Sequence, residues 1–441
     1  MTDDEPATPG TPGTLDTAGT ASTPDAAQLD ALAPLPAAAP ATRPVPQPFA
    51  AAAGLVAGAA AVTLGMLAAA ITEVVSPIDA VGSEVIDRSP RSVKEWAIRE
   101  FGTDDKLVLR IGIITILALA AIAVGLLARR RSWAGWVGIG AFGVVGALAA
   151  AHRPGEAAGA TVPSILGAIA GAALLHHLLR PRAIELPGPS QAPLGWDRRR
   201  FLIVGGSAAA TAAVAGGTAQ AIEGRRVERL REATRRPLPA APSADLDFDV
   251  PPDAQLFDET PFVTPNGDFY RIDTALSFPR IDIGSWGFTI SGKVDNPLRL
   301  TYDDLLALPQ VERMVTLCCV SNEVGGEYIG NAVWRGVMLR DLLDRAGVHD
   351  DAEQVFSTSL DGWTCGFPVA AAVDGRDAMV VVGMNGETLP LEHGYPARLV
   401  VPGLYGYVSA TKWLADITLT TWDDRGYWVP RGWASEAPIK T

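Results

Sequence analysis

Before residue 222 the chain carries five apolar runs, each about as long as a lipid bilayer is thick, and these restrict its fold more than any other feature. A helix needs roughly 20 residues to cross the hydrocarbon core, and backbone polar groups in lipid must be satisfied within the segment. "FAAAAGLVAGAAAVTLGMLAAAIT" (Phe49 to Thr72) has no charged residue. "LVLRIGIITILALAAIAVGLLA" (Leu107 to Ala128) has one, Arg110, near its start. "WAGWVGIGAFGVVGALAAA" (Trp133 to Ala151) opens on tryptophans suited to an interface. "VPSILGAIAGAALLHHLL" (Val162 to Leu179) is the fourth, and "FLIVGGSAAATAAVAGGTAQA" (Phe201 to Ala221), mostly Ala and Gly, is the fifth and weakest. The expectation is an all-α transmembrane region of about five helices over residues 45–221.

Basic residues orient it. Arg129, Arg130 and Arg131 separate runs two and three; Arg180, Arg182, Arg198, Arg199 and Arg200 separate four and five. With both loops cytoplasmic, residues 73–106 and everything after about Ala221 lie outside. The reading is a multi-pass cell-membrane protein with its soluble part extracytoplasmic. "RSVKEWAIREF" (Arg91 to Phe101), on the outer side, reads as an amphipathic helix lying on the membrane surface. "DRRRFLIVGG" resembles a twin-arginine export signal, a route for domains that fold around a cofactor before crossing; the plainer alternative is positive-inside arginines before an ordinary helix. His176 and His177 are the one histidine pair within a span, so they read as interfacial and no haem is evident.

Residues 1–44 are rich in Ala, Pro, Thr and Asp with no apolar period, which reads as a disordered acidic tail. Residues 222–253 read as a linker: a charged, helix-compatible "EGRRVERLREATRR", then a Pro- and Asp-containing stretch. A soluble α+β domain is expected over 254–441. "WGFTISGKV", "VERMVTLCCV", "AMVVVGMNG", "ARLVVPG" and "TKWLADITLTTW" read as strands. "TYDDLLALP" reads as a short helix capped by Thr301 with Asp304, and "VMLRDLLDRAGV" as an amphipathic helix stopped at Gly347. The formal charge of −13 makes nucleic acid an improbable partner.

The chain has 3 cysteines, and two of them, Cys318 and Cys319, are adjacent. Neighbours on a strand point to opposite faces. A bridge between them is disfavoured, because adjacent Cα atoms lie about 3.8 Å apart and unstrained disulfides want about 4.4–6.8 Å. Both could be small buried hydrophobes, or one could pair with Cys365. "SNEVGG" then turns off the strand and leaves the second thiol at a rim. Further on, His393, Arg398 and Lys412 offer cations suited to a phosphate, set against the alternative of ordinary surface charge. A thiolate near such a cluster suits a phosphate-bearing cofactor with a soft-ligand metal.

"LCCVSNEVGGEYIGNAVWRGVMLRDLLDRAGV" together with "GMNGETLPLEHGYPARLVVPGLYGYVSATKWLADITL" resembles the molybdopterin-binding domain of the sulfite oxidase family, over roughly Phe262 to Thr421. It also resembles the bacterial periplasmic methionine sulfoxide reductases of that superfamily. The resemblance implies one molybdenum held by a protein thiolate and a pterin dithiolene, cycling between Mo(VI) and Mo(IV). The ligand cysteine of the family precedes an x-x-Asn turn, which implies Cys319, with Asn322 in the turn. It further implies Trp334 in the site wall, and His393, Arg398 and Lys412 with Ser409 of "SATKW" as cofactor contacts. Lys412 stands one residue further along than in the sulfite oxidases. "FYRIDTA" occupies the place of the first cofactor loop, making Tyr270 and Arg271 candidates for the metal pocket.

Sulfite oxidases follow the ligand cysteine with a Gly-Asn-Arg-Arg type run; this chain has Ser321, Asn322, Glu323 and Val324. Larger relatives add an immunoglobulin-like dimerisation domain, and no such domain is read before Thr441. The expectation is therefore a membrane-anchored molybdenum oxidoreductase that transfers an oxygen atom on a small oxo-substrate. Reduction of a sulfoxide or N-oxide is favoured over sulfite oxidation, with an unidentified electron partner. Two other readings stand beside it: a thiol enzyme with Cys319 as nucleophile and His393 as base, and a non-catalytic membrane protein that reuses the fold to bind a ligand.

Overall fold

The computed structural model describes residues 45–101, 105–180, 182–183, 194–195, 197–235, 238, 244–245 and 261–439. The acidic tail over 1–44 and most of the stretch over 236–260 lie outside the described residues. Among the described residues, five helices are long and apolar enough to cross a membrane. They are α1 (Gln47–Thr72), α4 (Asp105–Ala128), α5 (Ser132–Ala151), α6 (Val162–Leu179) and α7 (Arg198–Thr234). Two further helices, α2 (Pro77–Arg88) and α3 (Arg91–Phe101), join the first of these to the second. α7 differs from expectation. It starts at Arg198, capped by the Asp197 carboxylate, and runs unbroken through Glu223 to Thr234. The boundary placed at residue 221 thus falls inside a helix: the charged "EGRRVERLREAT" continues the same hydrogen-bond ladder.

The helices pack through small residues. α1 buries Ala50, Ala53, Gly54, Ala57, Ala60, Gly65 and Ala69, while Ile111, Ile116, Leu119, Val137, Val144, Leu166, Ile169 and Val214 are exposed. That inside-out pattern is what lipid allows, since it is as apolar as leucine and rewards close backbone contact instead. A Cβ on Gly54 would stand 2.1 Å from the Ala121 carbonyl oxygen, and one on Gly125 would stand 2.2 Å from that of Ala50.

After residue 261 two sheets form. One places β8 (Glu387–Thr388), β7 (Met379–Met384), β4 (Ile329–Met338) and β3 (Gln310–Cys318) side by side, with β9 (Arg398–Val400) also paired to β7. The other runs β2 (Leu298–Thr301), β1 (Gly287–Gly292), β10 (Leu414–Thr420), β5 (Gln354–Ser359) and β6 (Thr364–Pro368). β10 pairs parallel with β1 and antiparallel with β5. The main core packs Phe288, Ile290, Leu339, Leu342, Leu343, Val355, Phe367, Leu399 and Ile417 between the sheets and helix α9 (Leu339–Ala346). The expected caps are present: Thr301 and Asp304 form a reciprocal capping box on α8 (Tyr302–Ala307), and Gly347 ends α9 in the left-handed region.

The apolar helices and the sheets are tied together by cations that donate across the boundary. Arg110 Nη2 reaches Asp79 at 2.9 Å and the Leu276 carbonyl at 2.8 Å. Arg431 reaches the Asp87 carbonyl at 2.7 Å, and Arg231 bonds Glu392 at 2.8 Å. α3 joins in: Arg91 donates to the Gly432 carbonyl at 3.2 Å, and Lys94 Nζ to the Tyr427 hydroxyl at 2.7 Å. The polar face of "RSVKEWAIREF", expected on a membrane surface, is engaged by the C-terminal segment of the soluble domain.

Gly54→Leu is expected to lower the melting temperature of the detergent-purified protein by several degrees, since overpacking costs about 1–3 kcal/mol. Gly140→Leu, where nothing lies within 4 Å of the added Cβ, is expected to leave it unchanged. Equal effects would contradict the packing described.

Candidate active site

β3 ends at Cys318, which pairs with Ile329 on β4. Cys319 follows just off the strand. Its backbone N–H still donates to the Tyr328 carbonyl at 2.9 Å, while the chain turns away through Asn322 N–H to the Cys319 carbonyl at 3.0 Å. The Asn322 side chain accepts from Tyr328 N–H at 2.7 Å and closes the loop. The alternation of a strand thus separates the two thiols: Cys318 is buried, and Cys319, half-buried, opens into a cavity of about 470 Å³. All 3 cysteines are free thiols. Cys365 is buried beside Ser357 and Thr411.

The same cavity is lined by Tyr270, Arg271, Asp273, His393, Arg398 and Lys412. Arg398 enters from β9 and is 5% exposed. It donates to the carbonyls of Leu399, His393 and Ala410, and no carboxylate among the described residues pairs with it. Its guanidinium lies 5.0 Å over the Trp334 ring. Burial pushes it down to about 10, so it remains charged at neutral pH. Gly394, at φ +115°, permits the tight approach of this turn to Lys412, whose Cα would meet an added Cβ at 3.0 Å.

Asp273 is the centre of a second group. Its carboxylate takes Lys106 at 2.6 Å, Lys412 at 2.7 Å and Arg271 at 2.8 Å. Burial alone would raise this carboxyl, but the Lys412, Lys106 and Arg271 cations hold it well below the usual range. Burial pushes Lys412 down to about 8 despite Asp273. His393 Nε2 bonds the Asn266 carbonyl at 2.9 Å; burial, with Arg398 and Lys412 nearby, pushes it down to about 4, so the imidazole is neutral. Tyr270 stacks on Phe269, and burial keeps its phenol protonated.

Three expected site residues stand behind the cavity wall. Trp334 is fully buried, bonds the Val315 carbonyl at 3.0 Å and supports Arg398 and Phe269 from beneath. Ser409 is buried and donates to the Tyr405 carbonyl at 3.1 Å. Asn322 acts through the turn. Sequence reading missed Asp273, although it lies in the quoted "FYRIDTA", because a lone acid carries no periodic signal. It missed Lys94 and Lys106 because they come from the helical region and reach the cavity only in three dimensions.

The thiol-nucleophile arrangement is not assembled. Burial pushes the Cys319 thiol up, its sulfur takes the Ser321 N–H at 3.5 Å, and no hydrogen bond joins it to His393, whose Nε2 bonds the Asn266 carbonyl. Among the described residues, no group of three His, Cys, Asp or Glu side chains converges as a metal-ligand set. A metal at Cys319 must therefore bring its other ligands with it, along with negative charge for Arg398.

A domain with one available thiol and buried cations in a single cavity is suited to an anionic, metal-bearing cofactor, and the comparisons with known proteins define that class. Residues 275–428 match the family described as oxidoreductase molybdopterin binding domain. The chain is 34% identical over 152 residues to the uncharacterized oxidoreductase YuiH of Bacillus subtilis (strain 168), covering 34% of this chain and 74% of that one. It is 30% identical over 210 residues to sulfite oxidase of Arabidopsis thaliana, covering 40% and 52%. It is 30% identical over 205 residues to a nitrate reductase [NADH] of Oryza sativa subsp. japonica, covering 40% and 22%. The chain thus spans about half or less of the two plant enzymes. It belongs to the sulfite oxidase family of molybdopterin-dependent oxidoreductases. The family's cofactor fits the site on two counts: Cys319 offers a single sulfur ligand, and Arg398 is a buried cation that no carboxylate among the described residues pairs with.

His393 generates a pH prediction. A histidine held neutral in the fold but free to protonate near 6.5 when unfolded means that the unfolded state binds more protons between those values. Its contribution is present above about pH 6.5 and is lost as pH falls toward 4, a change on the order of 3 kcal/mol at the limit. Melting temperature of cofactor-free protein should fall across that window, and His393→Gln should flatten the slope. An unchanged slope in the variant would contradict a neutral buried His393.

Proposed function

We propose that this chain is a membrane-anchored reductase of a small oxo-compound of sulfoxide or N-oxide type, with its catalytic domain on the extracytoplasmic side. The observation that carries the reading is the cavity wall. On the substrate side Cys319 is followed by Ser321, which lines the cavity, and by exposed Glu323 and Val324 rather than guanidinium groups. The outer wall is largely apolar, built from Val85, Ile86, Val93 and Leu109 with Trp428 and Trp433. A small inorganic dianion gains little from such a wall, whereas a neutral oxo-compound with apolar substituents buries them there.

When bound, the molybdenum cofactor supplies two-electron oxygen-atom transfer. Cys319 is assigned as its protein ligand, and Arg398, Arg271 and Lys412 as the charges that hold its phosphate. His393, locked on the Asn266 carbonyl, presents Nδ1 and the ring edge rather than a charge. Trp334 holds Arg398 and Phe269 in place, Ser409 ties down the turn before Lys412, and Asn322 fixes the loop that carries Cys319. Tyr270 Oη, kept protonated, is the hydrogen-bond donor for the substrate oxygen. The net reaction takes two electrons from an external donor and two protons, and releases the reduced compound and water. α1, α4, α5, α6 and α7 would place this chemistry at a bilayer, and basic loops inside leave the domain outside.

The experiment is a substrate screen on full-length protein in detergent, with reduced viologen as donor and ferricyanide as acceptor. Methionine sulfoxide, alkyl sulfoxides or amine N-oxides should oxidise the viologen, with KM falling as the alkyl chain lengthens. Turnover of sulfite with ferricyanide, and none of the oxo-compounds, would overturn the reading.

A further inference from the structure

Lys106 stands at the outer end of α4, before its first apolar turn, and yet its ammonium reaches the cofactor cavity. Nζ lies 2.6 Å from Asp273 Oδ1. The other carboxylate oxygen is taken by Lys412 at 2.7 Å and Arg271 at 2.8 Å. These four side chains all line the cavity. Within this group of four side chains, three cations and one carboxylate sum to a formal charge of +2, and the Asp273 side chain is 6% exposed. Asp273 therefore aims the cations without neutralising them. Lys412 keeps donor capacity beyond its bonds to Asp273 and the Glu392 carbonyl, and Arg271 uses only Nε on the carboxylate, its guanidinium lying 4.4 Å over Phe278. A phosphate monoester carries about −1.5 to −2 at neutral pH, which matches that excess.

We propose that Lys106 completes the phosphate pocket of the pterin cofactor, so that the apolar helical region contributes a binding residue to the cofactor site and is not merely its anchor. This rests on the molybdopterin reading of the cavity. It goes beyond that reading because Lys106 lies far outside residues 275–428, which match the family's domain. The consequence is that cofactor retention depends on α4 being seated against the soluble domain. The competing role for Lys106 is a plain ion-pair tie between helix and domain, which would affect folding and leave cofactor retention untouched.

The test compares the full-length wild type with Lys106→Met, Lys106→Arg and the double variant Lys106→Met/Asp273→Asn. All are made in a host that synthesises the cofactor and purified in detergent. The readouts are pterin released during prolonged dialysis, followed by fluorescence of its oxidised form, and melting temperature after cofactor removal. Loss of one charge-assisted contact corresponds to about ten-fold weaker retention or more, so Lys106→Met should release pterin about ten-fold faster. Lys106→Arg should match the wild type. The double variant, with Arg271 and Lys412 facing no acid, again has a net charge of +2 and should recover part of the retention. Release from Lys106→Met at the wild-type rate, with only its melting temperature lowered, would overturn the proposal while leaving the cofactor reading intact. Wild-type protein that is folded yet pterin-free would overturn both.

Discussion

A guanidinium or ammonium taken out of water costs on the order of several kcal/mol unless an anion meets it, and among the described residues the cavity is lined by Arg398, Arg271, Lys412, Lys106 and Lys94 but only two carboxylates, Asp273 and Asp361, of which Asp273 takes three of the cations. Among the described residues, Arg398 is answered by carbonyl oxygens and the face of Trp334 and by no carboxylate. Such an excess persists in a stable fold when a bound anion supplies the missing charge. The rest of the domain is arranged around keeping that excess in place. The β3–β4 hairpin delivers Cys319, β9 delivers Arg398, and the turn through Gly394 brings Lys412 against both.

The helical region bears on the same cavity. Its interior is rich in alanine and glycine, with Ile139, Leu175, Leu178 and Phe201 also buried, while leucine, isoleucine and valine are exposed on its exterior, a pattern suited to lipid. Polar side chains of the helical region make specific bonds to the sheet domain: Arg110 to the Leu276 carbonyl, Lys94 to Tyr427 and Lys106 to Asp273. α2 and α3 furnish one wall of the cavity through Val85, Ile86 and Val93. The cavity is thereby lined in part by residues that lie outside residues 275–428, the stretch that matches the family's domain.

Much of this was legible in the chain because local physics leaves local marks. The apolar runs, the capping box at Thr301, the stop at Gly347 and the divergence of Cys318 from Cys319 each depend on residues close in sequence. Trp334 and Ser409 were placed in the site by resemblance, yet their side chains face the layer behind it; a motif records which residues matter more readily than which way they point. The break at residue 221 marks a change from apolar to charged residues; the helix itself continues to Thr234, as the helix-compatible "EGRRVERLREATRR" allows. Asp273, Lys94 and Lys106 left no mark, since their roles arise from contacts between segments far apart in sequence, such as the bond that links residues 106 and 273.

The most direct measurement is the molybdenum and pterin content of purified full-length protein beside a Cys319→Ser variant of equal melting temperature, both made in a cofactor-synthesising host. The account predicts about one molybdenum and one pterin per wild-type chain. It also predicts that the metal, or its characteristic thiolate-to-metal absorption, is lost in the variant while pterin is largely retained by the cationic cluster. Folded wild-type protein without molybdenum, or a variant that keeps the metal with an unchanged spectrum, would contradict it.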